Sequence, residues 1–229
     1  SAVTALCIAL ALLLLTPLLF YLPKAVLASI IIVAVAALID FRTFFHAWSY
    51  SRVDGFGYLA TFLGVLILGP EAGIAIGIGA SLALHLWRTS QPHLAIVGRV
   101  GNTEHFRNVL RHEVTTRNDH LLVRIDESLY FANATYLEDR VLAAVADQPA
   151  VRHFVLICSA VNAIDASALE TMEHLVDRLR DSGVTLHLAE VKGPVMDKLK
   201  ETDFLKKMAP GQVFLSTHEA VVTLSKSEA

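Results

Sequence analysis

Asp165, Ser167 and His187 include the residue types of a hydrolytic triad, a serine nucleophile with a histidine base and a carboxylate to orient it. That chemistry needs the serine thrust out on a sharp strand-to-helix turn, the G-x-S-x-G pattern. Here the local sequence is Asp165-Ala166-Ser167-Ala168, with no such elbow. Ser167 stands three residues before Glu170, which is the S-x-x-E spacing of a helix capping box. A side-chain oxygen at Asp165 or Ser167 can accept the free N–H groups of a first helical turn. Capping accounts for both residues, so no catalytic residue and no enzyme activity are assigned. The ten histidines show neither H-E-x-x-H nor paired Cys/His spacing, so no metal site and no cofactor are expected. Cys7 and Cys158 lie far apart in apolar contexts and are expected to be buried free thiols. Gly69 to Ser81 contains Gly-x-Gly, but inside an apolar run and not between a strand and a soluble helix. Gly73 and Gly77 instead give a small-xxx-small face for close helix packing. Glu71 falls at a turn and is expected to be solvated. The net charge of -3, without a basic stripe interleaved with aromatics, gives no nucleic-acid partner.

The elements that carry the signature residues lie after Ser90-Gln91-Pro92, where the composition changes. Strand patterns are expected at 94–100, 121–126, 154–157, 184–188 and 213–215, with Tyr130-Phe131 extending the sheet. Helices are expected between them. Asn133 is placed to cap one that buries Leu137, Val141, Leu142 and Val145. Ser167 opens one that buries Leu169, Met172, Val176 and Leu179 and stops at Gly183. Pro194 opens a short helix, and Ser216-x-x-Glu219 reads as a second capping box. Alternation of this kind predicts an α/β domain with a mostly parallel core sheet.

The first part of the chain differs in kind. Of 229 residues 54% are hydrophobic and 18% charged, yet before Ser90 the charged residues are only Lys24, Asp40, Arg42, Arg52, Asp54, Glu71 and Arg88. Ala2 to Leu22 is long enough to span a bilayer, which takes about 20 apolar residues. The runs 25–39, 53–68 and 72–86 are shorter and broken by Gly and Pro, a pattern of transporter helices more than of plain anchors; two ordinary tilted spans joined by a tight turn fit the last pair too. Between them, Phe41, Phe44, Phe45 and Trp48 fall on one helical face of Asp40–Tyr50, the pattern of an interfacial helix lying in the membrane plane. Arg42 and Arg52 place that helix, and the chain after Arg88, on the cytoplasmic side. The expected organisation is therefore transmembrane helices over 1–89, with an interfacial helix at about 40–50, and a linker and cytoplasmic α/β domain over 90–229. The chain begins without a methionine inside an apolar run and is read as part of a longer polypeptide.

Three stretches carry a family resemblance. FYLPKAVLASIIIVAVAALID, residues 20–40, resembles the late membrane region of SulP (sulfate permease) transporters. DESLYFANA, residues 126–134, resembles the strand-to-helix entry of their STAS domains, and AVNAIDASALETM, residues 160–172, resembles the STAS signature loop. Order and spacing match across essentially the whole chain. The resemblance implies about fourteen membrane helices in two inverted repeats, roughly the last four of them here. It also implies a mobile core that carries sulfate, bicarbonate, chloride or a dicarboxylate against a gate. The family's substrate site, at the N-termini of two broken helices, would precede Ser1, so no substrate-binding residue is named. STAS domains resemble anti-sigma factor antagonists, whose loop reads Asp-Ser-Ser-Gly with the serine after Asp phosphorylated. Here that position is Ala166, which has no hydroxyl. Asp165 and Ser167 are the possible regulatory residues: a phosphate on Ser167 would sit at a helix N-terminus.

Two functions follow as expectations. In one, the chain is part of a secondary active anion transporter in the plasma membrane, homodimeric, with the STAS domain as a cytoplasmic regulatory and assembly module. In the other, it is a membrane-tethered STAS module that binds a cytoplasmic protein and transports nothing. The short broken helices and PKAVLASIII favour the first.

Overall fold

A computed structural model describes residues 2–19, 24–38 and 40–226 of the chain. It divides into two compact units, Ser1–Ser81 and Leu82–Ala229.

In the first unit the apolar runs are helical: α1 (Ala2–Leu19), α2 (Lys24–Leu38), α3 (Phe41–Tyr50) and α4 (Arg52–Leu68), followed by α5 (Pro70–Ser90), which continues into the second unit. Among the described residues no helix is long and apolar enough to cross a membrane. The expected spans are thus not shown by the helices themselves. At about 1.5 Å per residue, α2 reaches only ~22 Å and α4 ~26 Å. The expected stop at Pro23 lies outside the described residues. The surface is nonetheless apolar, with Leu6, Leu13, Ile32, Val33 and Leu66 exposed. Patches of that kind need an apolar partner.

Asp40 caps α3, its carboxylate accepting the Thr43 N–H at 3.1 Å. Phe44 and Trp48 turn toward α4, where Phe44 meets Tyr58 and Trp48 meets Phe56. Phe45, expected on the same face, is exposed, and the Phe41 side chain lies outside the described residues. Gly73 and Gly77 are buried and let α4 and α5 approach: a Cβ at Gly73 would come within 2.4 Å of the Val65 backbone nitrogen, and one at Gly77 within 2.4 Å of the Thr61 hydroxyl oxygen. Gly69, with φ of 90°, makes the turn between these helices. Glu71 is exposed as expected, but it lies in the first turn of α5 and not in the turn before it.

The second unit is an α/β domain. Its strands are β1 (Leu94–Arg99), β2 (Phe106–Asn108), β3 (His120–Ile125), β4 (His153–Ile157), β5 (Thr185–Ala189) and β6 (Val213–Phe214). They form one sheet in the order β2-β1-β3-β4-β5-β6. From β3 to β6 every pair is parallel, while β1 runs antiparallel to both β3 and β2. The sheet is therefore mixed, and the mostly parallel expectation holds for one side of it only. Parallel neighbours need a crossover, and α6 (Ala134–Ala146), α7 (Ala166–Asp181) and α8 (Gly193–Lys200) with α9 (Phe204–Met208) supply them. Side-chain alternation sorts the strands into two faces. Leu121, Val123, Phe154, Leu156, Leu186 and Leu188 pack under α6–α9. Leu122, Val155, Ile157 and Ala189 face the other way, toward Ala220 and Leu224 of α10 (Thr217–Lys226). The start of α10 is pinned by Glu190, whose carboxylate accepts the Thr217 hydroxyl at 2.6 Å and whose own φ is 59°.

Tyr130-Phe131 does not extend the sheet. The backbone turns there, leaving one isolated parallel bridge, Leu129 to Ile164. Cys158 is buried as expected, and burial pushes its thiol up to about 12; Cys7 is exposed, contrary to expectation.

Candidate functional site

The loop after β4, residues 158–165, meets the loop after β3 and delivers the N-terminus of α7. Leu129 donates its N–H to Ala163 O (3.0 Å) and accepts from Asp165 N (3.1 Å). Asn162 N donates to the Ser128 hydroxyl (3.2 Å), and Lys192 Nζ donates to Asn162 Oδ1 (2.6 Å). The two loops are thus stitched side by side.

Asp165 is the N-cap of α7. Its Oδ1 accepts Ala168 N at 2.8 Å, and its Oδ2 accepts Phe131 N at 2.9 Å. One carboxylate satisfies the helix start and ties it to the β3–α6 loop. The expected Ser167-x-x-Glu170 box does not form. The helix begins at Ala166, two residues before a Ser167 cap would start it, and puts Ser167 inside the first turn. Ser167 is exposed, as is Ala166 beside it. The second expected box does form in part: Ser216 Oγ accepts Glu219 N at 3.1 Å, while Glu219 reaches back to Leu215 N at 2.9 Å.

Asn133 heads α6 without a side-chain cap bond. Its fully buried amide works backward. Oδ1 accepts Tyr130 N (3.0 Å), and Nδ2 donates to Ser128 O (2.8 Å) and to Thr89 O (3.3 Å). The Tyr130 hydroxyl also bonds to Thr89 Oγ1. The last turn of α5 is therefore held by the same loop that Asp165 holds, a link that residue spacing alone gives no sign of.

His187 is not brought to Asp165 or Ser167 by any hydrogen bond among the described residues. Its Nδ1 accepts Gln212 N at 3.1 Å, and its Nε2 lies 3.1 Å from His153 Nδ1. His120 follows on, its ring centroid 5.2 Å from that of His153. The three rings form a ladder across β3, β4 and β5. Burial, then the neighbouring His153 and His120, lowers the His187 pKa to about 4. Beside the α7 cap a surface cavity of about 370 Å³ is lined by Ile164, Asp165, Leu169, Val195, Lys198 and Thr202, among others. The arrangement presents an exposed Ser167 in the first turn of a helix whose start is hydrogen-bonded to the neighbouring loop.

A model of the STAS domain matches residues 111–220, and one of the sulfate permease family matches residues 1–61. Sulfate transporter 3.2 of Arabidopsis thaliana is 32% identical over 231 residues, covering 96% of this chain and 36% of its own length. High affinity sulfate transporter 2 of Stylosanthes hamata is 30% identical over 233 residues, with 97% and 35% covered. Among solved structures, the murine Solute Carrier 26 family member A9 anion transporter in its inward-facing state has the same fold, with a TM-score of 0.81 at 23% identity, over 99% of this chain and 38% of that one. The chain thus spans about a third of the length of the curated relatives it matches. With matched segments at both ends and sulfate transporters similar along nearly all of it, this chain belongs to the SulP, or sulfate permease, family and carries that family's STAS domain.

Proposed function

We infer that the protein carrying this chain is a secondary active anion transporter of the sulfate type. The observation that supports this most is similarity to sulfate transporters over 96% of the chain, running through both units. A tethered signalling module would need to share only the second.

In this reading the first unit belongs to the membrane-embedded part. Its exposed Leu, Ile and Val side chains face lipid or neighbouring helices, and α3 lies at the interface. Arg42 and Arg52 support a cytoplasmic second unit, and the protein is taken to reside in the plasma membrane. Inorganic anions or small dicarboxylates are moved by parts of the protein other than this chain. The STAS domain regulates and assembles, through a homodimer or a cytoplasmic protein partner, and does no catalysis. Ser167, exposed in the first turn of α7, is its modifiable hydroxyl. The test is uptake of labelled sulfate and of labelled bicarbonate by the protein in liposomes, each competed by other anions. Saturable uptake of either is expected. No uptake of any anion by correctly folded protein would overturn the transporter reading in favour of the tethered module.

A further inference from the structure

A second cavity, of about 470 Å³, opens on the opposite face of the sheet from α7. Its floor is Val97 of β1 and Leu122 of β3, one wall is Val221, Val222 and Ser225 of α10, and Phe106 of β2 closes a side. Arg99, Arg117, His120 and Lys226 reach it, and no acidic side chain lines it.

Two of these polar groups are left incomplete. His120 is 5% exposed, and neither ring nitrogen makes a hydrogen bond. Asp119 Oδ1 lies 3.0 Å from its Nδ1 without hydrogen-bond geometry, and that carboxylate is already held by a two-pronged Arg117 contact at 3.0 and 2.7 Å. Arg99 places its Nη2 2.5 Å from His218 Nδ1 and its guanidinium 5.9 Å from the Phe106 ring centre, while its buried Nε has no partner. Arg99, whose backbone pairs with Thr115, and His120, the first residue of β3, both line this cavity. Buried polar atoms without hydrogen-bond partners are uncommon and costly, and such atoms on two residues lining one cavity with an apolar floor point to a ligand oxygen. The cavity falls in the size range of small-molecule sites, which are apolar with a few convergent polar groups.

We propose that this cavity binds a small amphiphilic carboxylate, its head between Arg99 and His120 and its aromatic or branched aliphatic body on Val97, Phe106, Leu122 and Val221. The head takes a charge-assisted hydrogen bond from Arg99 Nε. The body takes the place of water on the apolar walls, which a bare inorganic anion would leave wet. The site lies within the second unit, and its occupancy does not depend on what the protein transports.

The test is calorimetric titration of the full chain in detergent with 3-phenylpropionate, corrected for micelle partitioning, with inorganic sulfate as competitor. Expected is saturable one-to-one binding with a Kd of about 0.1–1 mM, the range open to a ligand of that size. Arg99→Met should weaken it at least tenfold, and Val222→Phe, which fills the cavity and leaves each polar group in place, should do the same. Equimolar sulfate should not displace it. Should Arg99→Met fail to fold by thermal melting, Val222→Phe decides. Absence of saturable binding to folded protein, binding indifferent to Val222→Phe, or displacement by equimolar sulfate would each overturn the proposal.

Discussion

Replacing Asp165 by alanine tests whether one carboxylate holds the double loop. Two hydrogen bonds are lost, to Ala168 N at 2.8 Å and Phe131 N at 2.9 Å. Loss of an N-cap costs about 1 kcal/mol. The second bond, also to a charged acceptor, contributes about 1.5 kcal/mol. Removing a negative charge from a helix N-terminus adds about 0.5 kcal/mol. The sum is about 3 kcal/mol. With a urea dependence of about 2 kcal/mol per molar, the unfolding midpoint should fall by about 1.5 M. Asp165→Asn keeps one acceptor oxygen but turns an NH2 toward the other N–H, so it should lose about half as much. Ser167→Ala removes an exposed hydroxyl that is no cap and should stay within about 0.5 kcal/mol of the parent. The assay is hydrogen exchange of the segment 153–176 at increasing urea. A midpoint shift below about 0.3 M for Asp165→Ala, or an equal shift for Ser167→Ala, would refute the assignment.

Three further outcomes follow from the geometry. Asn133→Ala, which removes the buried amide that bonds half-buried groups on Tyr130, Ser128 and Thr89, should cost about 2–4 kcal/mol and speed hydrogen exchange at residues 86–90. His187 has a folded-state pKa of about 4 against an ordinary value of 6.5. Its contribution is whole above pH 6.5 and is lost as pH falls toward 4, because the unfolded chain takes up the proton first. Urea midpoints measured across that window should drop with pH in the parent and drop less in His187→Gln. Finally, Gly73→Ala should destabilise the α4–α5 pair by at least about 1–3 kcal/mol through overpacking, whereas Gly79→Ala, with nothing within 4 Å of the new Cβ, should melt no lower than the parent.

What the sequence made legible follows from how far each signal reaches. Continuous apolar runs bounded by turn residues located β3, β4 and β5, because a strand buried on both faces leaves few other readings. β2 has three residues and no period, and the antiparallel setting of β1 depends on a partner the local pattern does not name. α7 was expected to begin at Ser167 because S-x-x-E is a strong local signature. It begins at Ala166 because Asp165 also has a tertiary partner, Phe131 N, that Ser167 cannot reach from within the first turn. A cap that satisfies a distant N–H group as well as one of its own helix outcompetes one that satisfies only its own helix.

The histidines show the same limit from the other side. No metal-type spacing joins His120, His153 and His187 in the sequence, since they are separated by whole strand–helix units. Parallel pairing sets His120 directly opposite His153 and places His187 two residues beyond Thr185, the partner of His153, so the rings stack across the sheet. Register therefore creates a chemical cluster that residue spacing conceals, and the sheet brings Arg99 of β1 and His120 of β3 to the lining of the second cavity. Motif reading finds groups that one element brings together, such as Asp165 and Ala168. Groups that only strand register brings together appear once the sheet order is known. In this domain the His187 ladder and the cavity lined by Arg99 and His120 both lie on the α10 face, opposite the α7 loop that the family signature marks.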